Sequence, residues 1–238
     1  MKKLLTSAFA AAITAMVAQT AISGSAIAAD AVNAKAAAMV PDAIKKSGVL
    51  RVGTNFPYAP MEFFAEDGKT PTGVDVDLIS EVAARLGLKA DFVNMNWDGL
   101  IPALNSGRFE VIAASVGDFT ERQKQADFVD YMTTGVSVVV AAADKTDYKV
   151  NTDLCGKRLS AAKGTDASRI ITELAKKCSA DGKKTTANQF PDDNAGLLAV
   201  RSGRIDGHAM DSISASYEAS TEKGHTTFRN VLPDFAPT

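Results

Sequence analysis

The sequence predicts an α/β protein built as two similar lobes facing each other across a cleft. The first observation behind this is a repeat. Ile101-Pro-Ala-Leu-Asn-Ser-Gly-Arg-Phe-Glu-Val-Ile-Ala-Ala-Ser115 aligns without gaps on Leu197-Leu-Ala-Val-Arg-Ser-Gly-Arg-Ile-Asp-Gly-His-Ala-Met-Asp211, at an offset of 96 residues. Each copy has the pattern of a helix end, a Ser-Gly-Arg stop and a short apolar strand. Glycine supplies the positive φ that a helix C-terminus needs, and the arginine beside it suits the negative end of the helix dipole. The second observation is a pair of matching strand ends, Leu50-Arg-Val-Gly-Thr-Asn55 and Leu159-Ser-Ala-Ala-Lys-Gly-Thr-Asp166. The third is strand–helix alternation, which implies parallel sheets with helices on both faces. Ligands of such sheets sit outside the carboxyl ends of the strands. Ser115 and Asp211, equivalent in the repeat, both fall there and are expected to face each other across the cleft.

The chain opens on the pattern of an export signal. Lys2-Lys3 form a basic start, an Ala-rich apolar stretch follows, and Ala26-Ile27-Ala28 offers a small-x-small cleavage site, so residues 1–28 are expected to be removed. Residues 29–40 have no period and are expected to be a flexible mature N-terminus. Lobe 1 is expected over 41–131: a short helix at Pro41–Lys46, strand Val49–Gly53, an apolar helical stripe from Asp77 to Leu86 closed by Gly87, strand Ala90–Met95, helix Asp98–Asn105 and strand Glu110–Ser115. Asp75 and Asp77 precede the stripe, where capping and turn formation explain them. A polar helical turn is placed beyond Arg122, and a hinge of extended chain at 131–135, because apolar strand pattern resumes at Val136–Val140. Lobe 2 is expected over 136–232. It alternates strand Arg158–Ala162, helix Ala167–Lys177, strand Lys184–Gln189, helix Asn194–Ser202, strand Ile205–Met210, helix Ser212–Ser220 and a strand near Thr226–Val231. Residues 233–238 are expected to begin a second crossing between the lobes.

Composition narrows the function. Hydrophobic content of 46% and charge of 23% in 238 residues are those of an ordinary soluble protein. A net charge of −2, becoming −4 once Lys2 and Lys3 are removed with the signal, argues against nucleic acid as a partner. The two cysteines, Cys155 and Cys178, read as a disulfide in an exported protein. Two cysteines and two scattered histidines make no zinc spacing, so neither metal nor cofactor is expected.

Several phrases, in order, resemble the extracellular solute-binding proteins of family 3, the amino-acid receptors of ABC importers. They are Gly48-Val-Leu-Arg-Val-Gly-Thr54, Tyr58-Ala-Pro-Met-Glu-Phe63, Gly73-Val-Asp-Val-Asp77-Leu, Trp97-Asp-Gly-Leu-Ile-Pro-Ala-Leu104 and Thr120-Glu-Arg122 followed by Asp127-Phe128. Asp153-Leu-Cys-Gly-Lys157, Gly164-Thr165 and Ser202-Gly-Arg-Ile-Asp206 continue the likeness through lobe 2. The resemblance implies a type II periplasmic-binding-protein-like fold closing on one amino acid, a monomer in the periplasm, and an ABC transporter permease as partner. By position, it implies that Arg122 grips the ligand α-carboxylate, with a planar fork that matches it bidentately. Backbone at Ser115–Gly117 and Thr165-Asp166 would add hydrogen bonds, and Asp211 would take the α-ammonium. Asn55, Tyr58, Trp97 and Phe119 would touch the ligand side chain.

The chain departs from the family pattern in places. Phe119-Thr120-Glu121-Arg122 stands for the usual Thr-Pro-Glu-Arg, and Gly117 replaces a hydroxyl residue that many relatives use on the ligand. Asn55 stands where some relatives that bind cationic side chains place an acid, which disfavours a strongly cationic ligand. Pro233–Thr238 falls about where the family crosses back to lobe 1, so lobe 1 is expected to lack its return segment and to expose apolar surface. Asp211 also has a plainer explanation as the cap of the helix at Ser212. The alternative function is a periplasmic prephenate or arogenate dehydratase on the same fold, which needs a general acid beside a leaving hydroxyl.

Overall fold

The computed structural model describes residues 32–221 and 224–237. The signal peptide expected over 1–28 and its cleavage site lie outside the described residues.

The stretch expected to be flexible carries helix α1 (Ala34–Met39), started by Asn33, whose side-chain oxygen accepts from the Ala36 N–H at 3.0 Å. Helix α2 (Asp42–Ser47) then leads into strand β1 (Val49–Thr54). Strands β2 (Phe63–Phe64) and β3 (Pro71–Thr72) form a small antiparallel pair ahead of helix α3 (Val74–Arg85). Strand β4 (Lys89–Asn94), helix α4 (Leu100–Asn105) and strand β5 (Val111–Ile112) complete the first sheet, which has the order β4-β1-β5 and is parallel throughout. Leu50, Val52, Ala83 and Leu88 form the core on one side of this sheet, and Leu100, Ala103, Phe109 and Ala114 that on the other. Beyond the sheet, Leu78, Val82, Leu104, Ile112 and Val129 border an apolar groove of about 410 Å³.

The helical turn expected beyond Arg122 instead contains it, as helix α5 (Thr120–Gln123). An extended connection runs to strand β6 (Gly135–Ala141), whose Gly-Val-Ser-Val-Val-Val run is buried on both faces. Strand β7 (Arg158–Ala162), helix α6 (Asp166–Ala180), strand β8 (Thr186–Phe190), helix α7 (Asp193–Arg201), strand β9 (Gly207–Asp211) and helix α8 (Ser212–Ser220) follow. Helix α9 (Gly224–Thr227) replaces the start of the strand expected at 226, and strand β10 (Phe228–Pro237) comes after it.

The second sheet has the order β10-β6-β9-β7-β8, and here the expectation of parallel strands fails in part. Strand β6 runs antiparallel to both β9 and β10, while β7, β8 and β9 are parallel. Residues 233–237, expected to leave the lobe, remain in the edge strand, where Pro237 pairs with Gly135. The disulfide is present. Cys155 and Cys178, with Cα atoms 5.3 Å apart, tie the turn before β7 to the last turns of α6.

The repeat is visible in three dimensions. Gly107 (φ 73°) and Gly203 (φ 71°) end α4 and α7 in the left-handed region. In each lobe an arginine of the leading strand then reaches that helix end: Arg51 Nη2 donates to Gly107 O at 3.0 Å, and Arg158 Nη2 to Gly203 O at 2.9 Å. Both arginines also pair with the acid three residues further on, Glu110 and Asp206. The dipole-facing arginines are therefore Arg51 and Arg158, whereas Arg204, beside the stop, lies over the Phe190 ring.

Candidate functional site

The carboxyl ends of the two sheets meet around a small cavity of about 50 Å³. Among its lining residues are six expected at the site: Asn55, Tyr58, Trp97, Ser115, Thr165 and Asp211. Ser115 and Asp211, the equivalent ends of the repeat, thus border one space. At about 10–15 Å³ per water, it has room for only a few waters.

Asp211 starts α8, yet its side chain makes no capping bond. Instead it accepts from the Tyr58 hydroxyl of the other lobe at 2.6 Å, which decides against the plainer capping role. Burial first, and then the nearby carboxylates of Asp193 and Asp166, push the Asp211 carboxyl up to about 6, against the lowering effect of Tyr58 and Arg122. The Tyr58 phenol is raised well above its ordinary value by burial and by Asp211 and Asp193.

Arg122 lies beside the cavity. It donates to Gly117 O at 2.9 Å in its own lobe and to Gly164 O at 2.9 Å in the other. Its guanidinium rests over Phe119 (4.6 Å to the ring centre) and near Trp97 (5.5 Å). Burial lowers its pKa, while Asp166 and Asp211 oppose the shift. Four of the expected residues (Trp97, Gly117, Phe119 and Arg122) therefore form one cluster.

Other expected residues are already occupied. Ser115 adopts φ 47°, uncommon for a residue with a side chain. Its N–H and hydroxyl both donate to Asp75 Oδ2, at 2.8 and 3.0 Å. Asp75, expected only to cap or turn, is 1% exposed, and its other oxygen accepts from Tyr131 in the interlobe connection at 2.7 Å. The Thr165 hydroxyl caps α6 by accepting from Ser168 N, and Asp166 pairs with Arg169 at 3.0 Å. Asn55 donates to Met95 O at 2.8 Å.

The structure adds acids that the sequence reasoning missed. Glu62, Asp192 and Asp193 also line the cavity. Asp193 is held at 2.8 Å by His208 Nε2, and the other nitrogen of that ring meets the Ser160 hydroxyl at 2.9 Å. Ser160 and His208 are fully buried, so this Ser–His–Asp line fixes a cleft carboxylate and offers no exposed nucleophile. Pro191-Asp192-Asp193 at a strand-to-helix turn was the signal for the latter pair, since such turns face ligands. Glu62 stood inside a quoted phrase, but nothing in its spacing marked it as buried.

The family model for bacterial extracellular solute-binding proteins, family 3, matches residues 50–234. The chain belongs to that family. As a family 3 protein it is 38% identical over 163 residues to the L-cystine-binding protein TcyA of Bacillus subtilis, covering 68% of this chain and 57% of TcyA. It is 29% identical over 189 residues to the arginine-binding protein ArgT of Corynebacterium glutamicum, covering 79% and 62% of the two chains. The match thus spans about three fifths of the length of these curated relatives. Among solved structures, holo ArgBP from T. maritima superposes with a TM-score of 0.72 at 30% identity, over 83% of this chain and 82% of that one. The ancestral amino acid-binding protein AncCDT-1, described as a precursor of cyclohexadienyl dehydratase, gives 0.70 at 34% identity, over 82% and 81%. These neighbours share the type II, two-lobed α/β architecture.

Proposed function

We propose that this chain captures an amino acid outside the cytoplasm and delivers it to the permease of an ABC importer. The observation that carries the reading is a pair of opposite charges without charged partners. Arg122 is bonded to two backbone carbonyls and Asp211 to a phenol, one charge from each lobe. A zwitterion supplies what both lack, its carboxylate for the guanidinium fork and its ammonium for Asp211. The family membership, and relatives named for cystine and arginine, support an amino acid as the ligand.

In this reading the chain is exported by the signal at 1–28, works as a monomer in the periplasm, and binds without chemistry. Lobes 41–131 and 136–232 close about the connection at 131–135, which Tyr131 ties to Asp75. Trp97, Phe119, Asn55 and Tyr58 wall the ligand, with Ser115, Gly117, Thr165 and Asp166 shaping the backbone around it. The test is calorimetric titration of the purified protein with each of the common amino acids. One or more should bind in a one-to-one complex that Arg122→Ala abolishes or weakens severely. Binding of none, or binding indifferent to Arg122, overturns the reading.

The dehydratase alternative is favoured by a buried acid in the cleft. Burial, with Asp75 and Asp211 nearby, keeps Glu62 protonated well above the ordinary carboxylate range, as a general acid requires. Loss of prephenate absorbance on adding the protein would establish it; we expect none.

A further inference from the structure

We propose that Asp75 is a positioning residue that couples the interlobe connection to the ligand wall, so that the Tyr131 hydroxyl, outside the cavity, sets ligand affinity. This rests on the amino-acid-binding reading above and deepens it. Neither Asp75 nor Tyr131 lines the cavity, yet one carboxylate joins three segments behind its wall. Helix α3 supplies Asp75 itself. The stretch after β5 supplies Ser115, a lining residue, whose N–H and hydroxyl both donate to Oδ2. The connection supplies Tyr131, whose hydroxyl donates to Oδ1 at 2.7 Å. All three donors are neutral groups, and the side chain is 1% exposed, so the carboxylate depends on each of them.

The start of α3 is fixed by close packing. Gly73 adopts φ 123°, and an added Cβ there would come within 2.3 Å of Met61 O. This approach lets Val74 N and Asp75 N donate to Pro60 O and Met61 O, at 3.1 and 2.9 Å. Asp75 therefore stands on an anchored helix end, and Ser115 and Tyr131 come to it. Ser115 needs holding, because φ 47° is unfavourable for a residue with a Cβ. Its setting carries over to Gly117, two residues on, whose carbonyl accepts from Arg122 Nη1 at 2.9 Å. Tyr131 begins the connection about which the lobes close. Opening that draws its hydroxyl away leaves the buried carboxylate short of a donor, a cost that favours the closed form. The share of closed form enters ligand affinity directly.

The experiment is titration calorimetry of the full chain with the common amino acids and L-cystine, the tightest of which is then titrated into Tyr131→Phe. Tyr131 is 46% exposed, so losing its hydroxyl leaves the core intact. Tyr131→Phe should weaken binding at least about threefold. Small-angle scattering should show a larger radius of gyration for the free variant, returning to the wild-type value at saturating ligand. In an Asp75→Asn background the same change should cost less than in wild type, because the path to the wall is already weakened. Should Asp75→Asn fail to fold, Ser115→Ala, which removes one donor from the same carboxylate, takes its place with the same expectation. A hydroxyl with a merely structural role would cost as much in either background. Unchanged affinity or unchanged dimensions in Tyr131→Phe, or an undiminished loss in the second background, overturns the coupling while the zwitterion clamp stands. If wild type binds none of these ligands, the reading of function falls and scattering alone decides the coupling: equal dimensions of free wild type and Tyr131→Phe overturn it.

Discussion

Arg122 and Asp211 each hold a neutral partner, so under the proposed function ligand binding would be an exchange of partners within the cleft. Arg122 would give up the Gly164 carbonyl for a carboxylate, and Asp211 the Tyr58 hydroxyl for an ammonium. Removing one side of a buried charge pair costs about 2–5 kcal/mol, so Arg122→Ala should weaken the ligand about 30-fold or more by calorimetry. Arg122→Lys should also fail, since a point charge cannot replace the fork that rests on Phe119. Asp211 adds a pH dependence. Its carboxyl is raised to about 6, chiefly by burial. A raised acid favours the protonated fold, so its stabilising contribution is complete below its unfolded value of about 4 and is lost as pH rises through about 6. Ligand binding runs the other way, because the ammonium needs the charged carboxylate. Affinity should fall as pH drops below about 6, approaching about tenfold per pH unit. Asp211→Asn should bind weakly and lose that inflection; a wild-type profile flat from about pH 5 to 7.5 would contradict the assignment.

Two features fix elements that support the cleft without touching a ligand. The His208 ring, which holds Asp193, lies so close to Gly196 in α7 that an added Cβ would come within 2.1 Å of it. Gly196→Ala should therefore destabilise the protein by about 1–3 kcal/mol in denaturant unfolding, the range for overpacking a core, although alanine favours helix. A neutral or stabilising result would mean that the ring moves freely. The Cys155–Cys178 bond, across a sequence separation of 23, should contribute roughly 3 kcal/mol by loop entropy. Replacing both residues with serine should lower the melting temperature and leave the affinity of the folded protein unchanged. These elements also mark what the sequence could reveal. Strand Arg158–Ala162 and helix Ser212–Ser220 have the boundaries that their apolar spacing predicted, because burial of one face is a local pattern. The antiparallel sense of β6 and β10 was hidden, because an all-buried Val run reads the same in either direction. The positions of Asp211 at the cavity and of Arg122 between the lobes were legible from the repeat and the resemblance. The place of Glu62 was not, since its burial without a donor is a fact of packing. Asp75 was misjudged for the same reason: its partners, Ser115 and Tyr131, stand 40 and 56 residues away.

Across the whole molecule, the lobes meet through both apolar and polar contacts: Tyr58 packs against Val139, Leu197, Met210 and Ala215, and the Phe63 ring lies 6.3 Å from that of Tyr217. Tyr58–Asp211, Arg122–Gly164, Asn194–Pro57 O and the Lys163–Asp98 ion pair at 3.1 Å bridge the lobes. The last pair is more than half exposed on both sides, so by itself it is worth at most about 1 kcal/mol. The cavity it helps to close, about 50 Å³, falls well short of the roughly 300 Å³ at the lower end of ligand pockets. A ligand must therefore enter an open form, and the balance between open and closed forms enters its affinity directly. Asp98→Lys converts the exposed attraction into a repulsion against Lys163 without touching Arg122, Asp211 or Glu62. It should weaken ligand binding by only a few-fold, about the effect expected of a surface pair, and small-angle scattering should show a larger radius of gyration for the free protein. Because the pair is exposed, raising the salt to about 1 M should shrink the difference from wild type. Affinity lost by more than about thirtyfold, or unaltered by salt, would place Asp98 in the ligand site itself. Unchanged affinity and unchanged dimensions would show that this ion pair takes no part in closing the cleft.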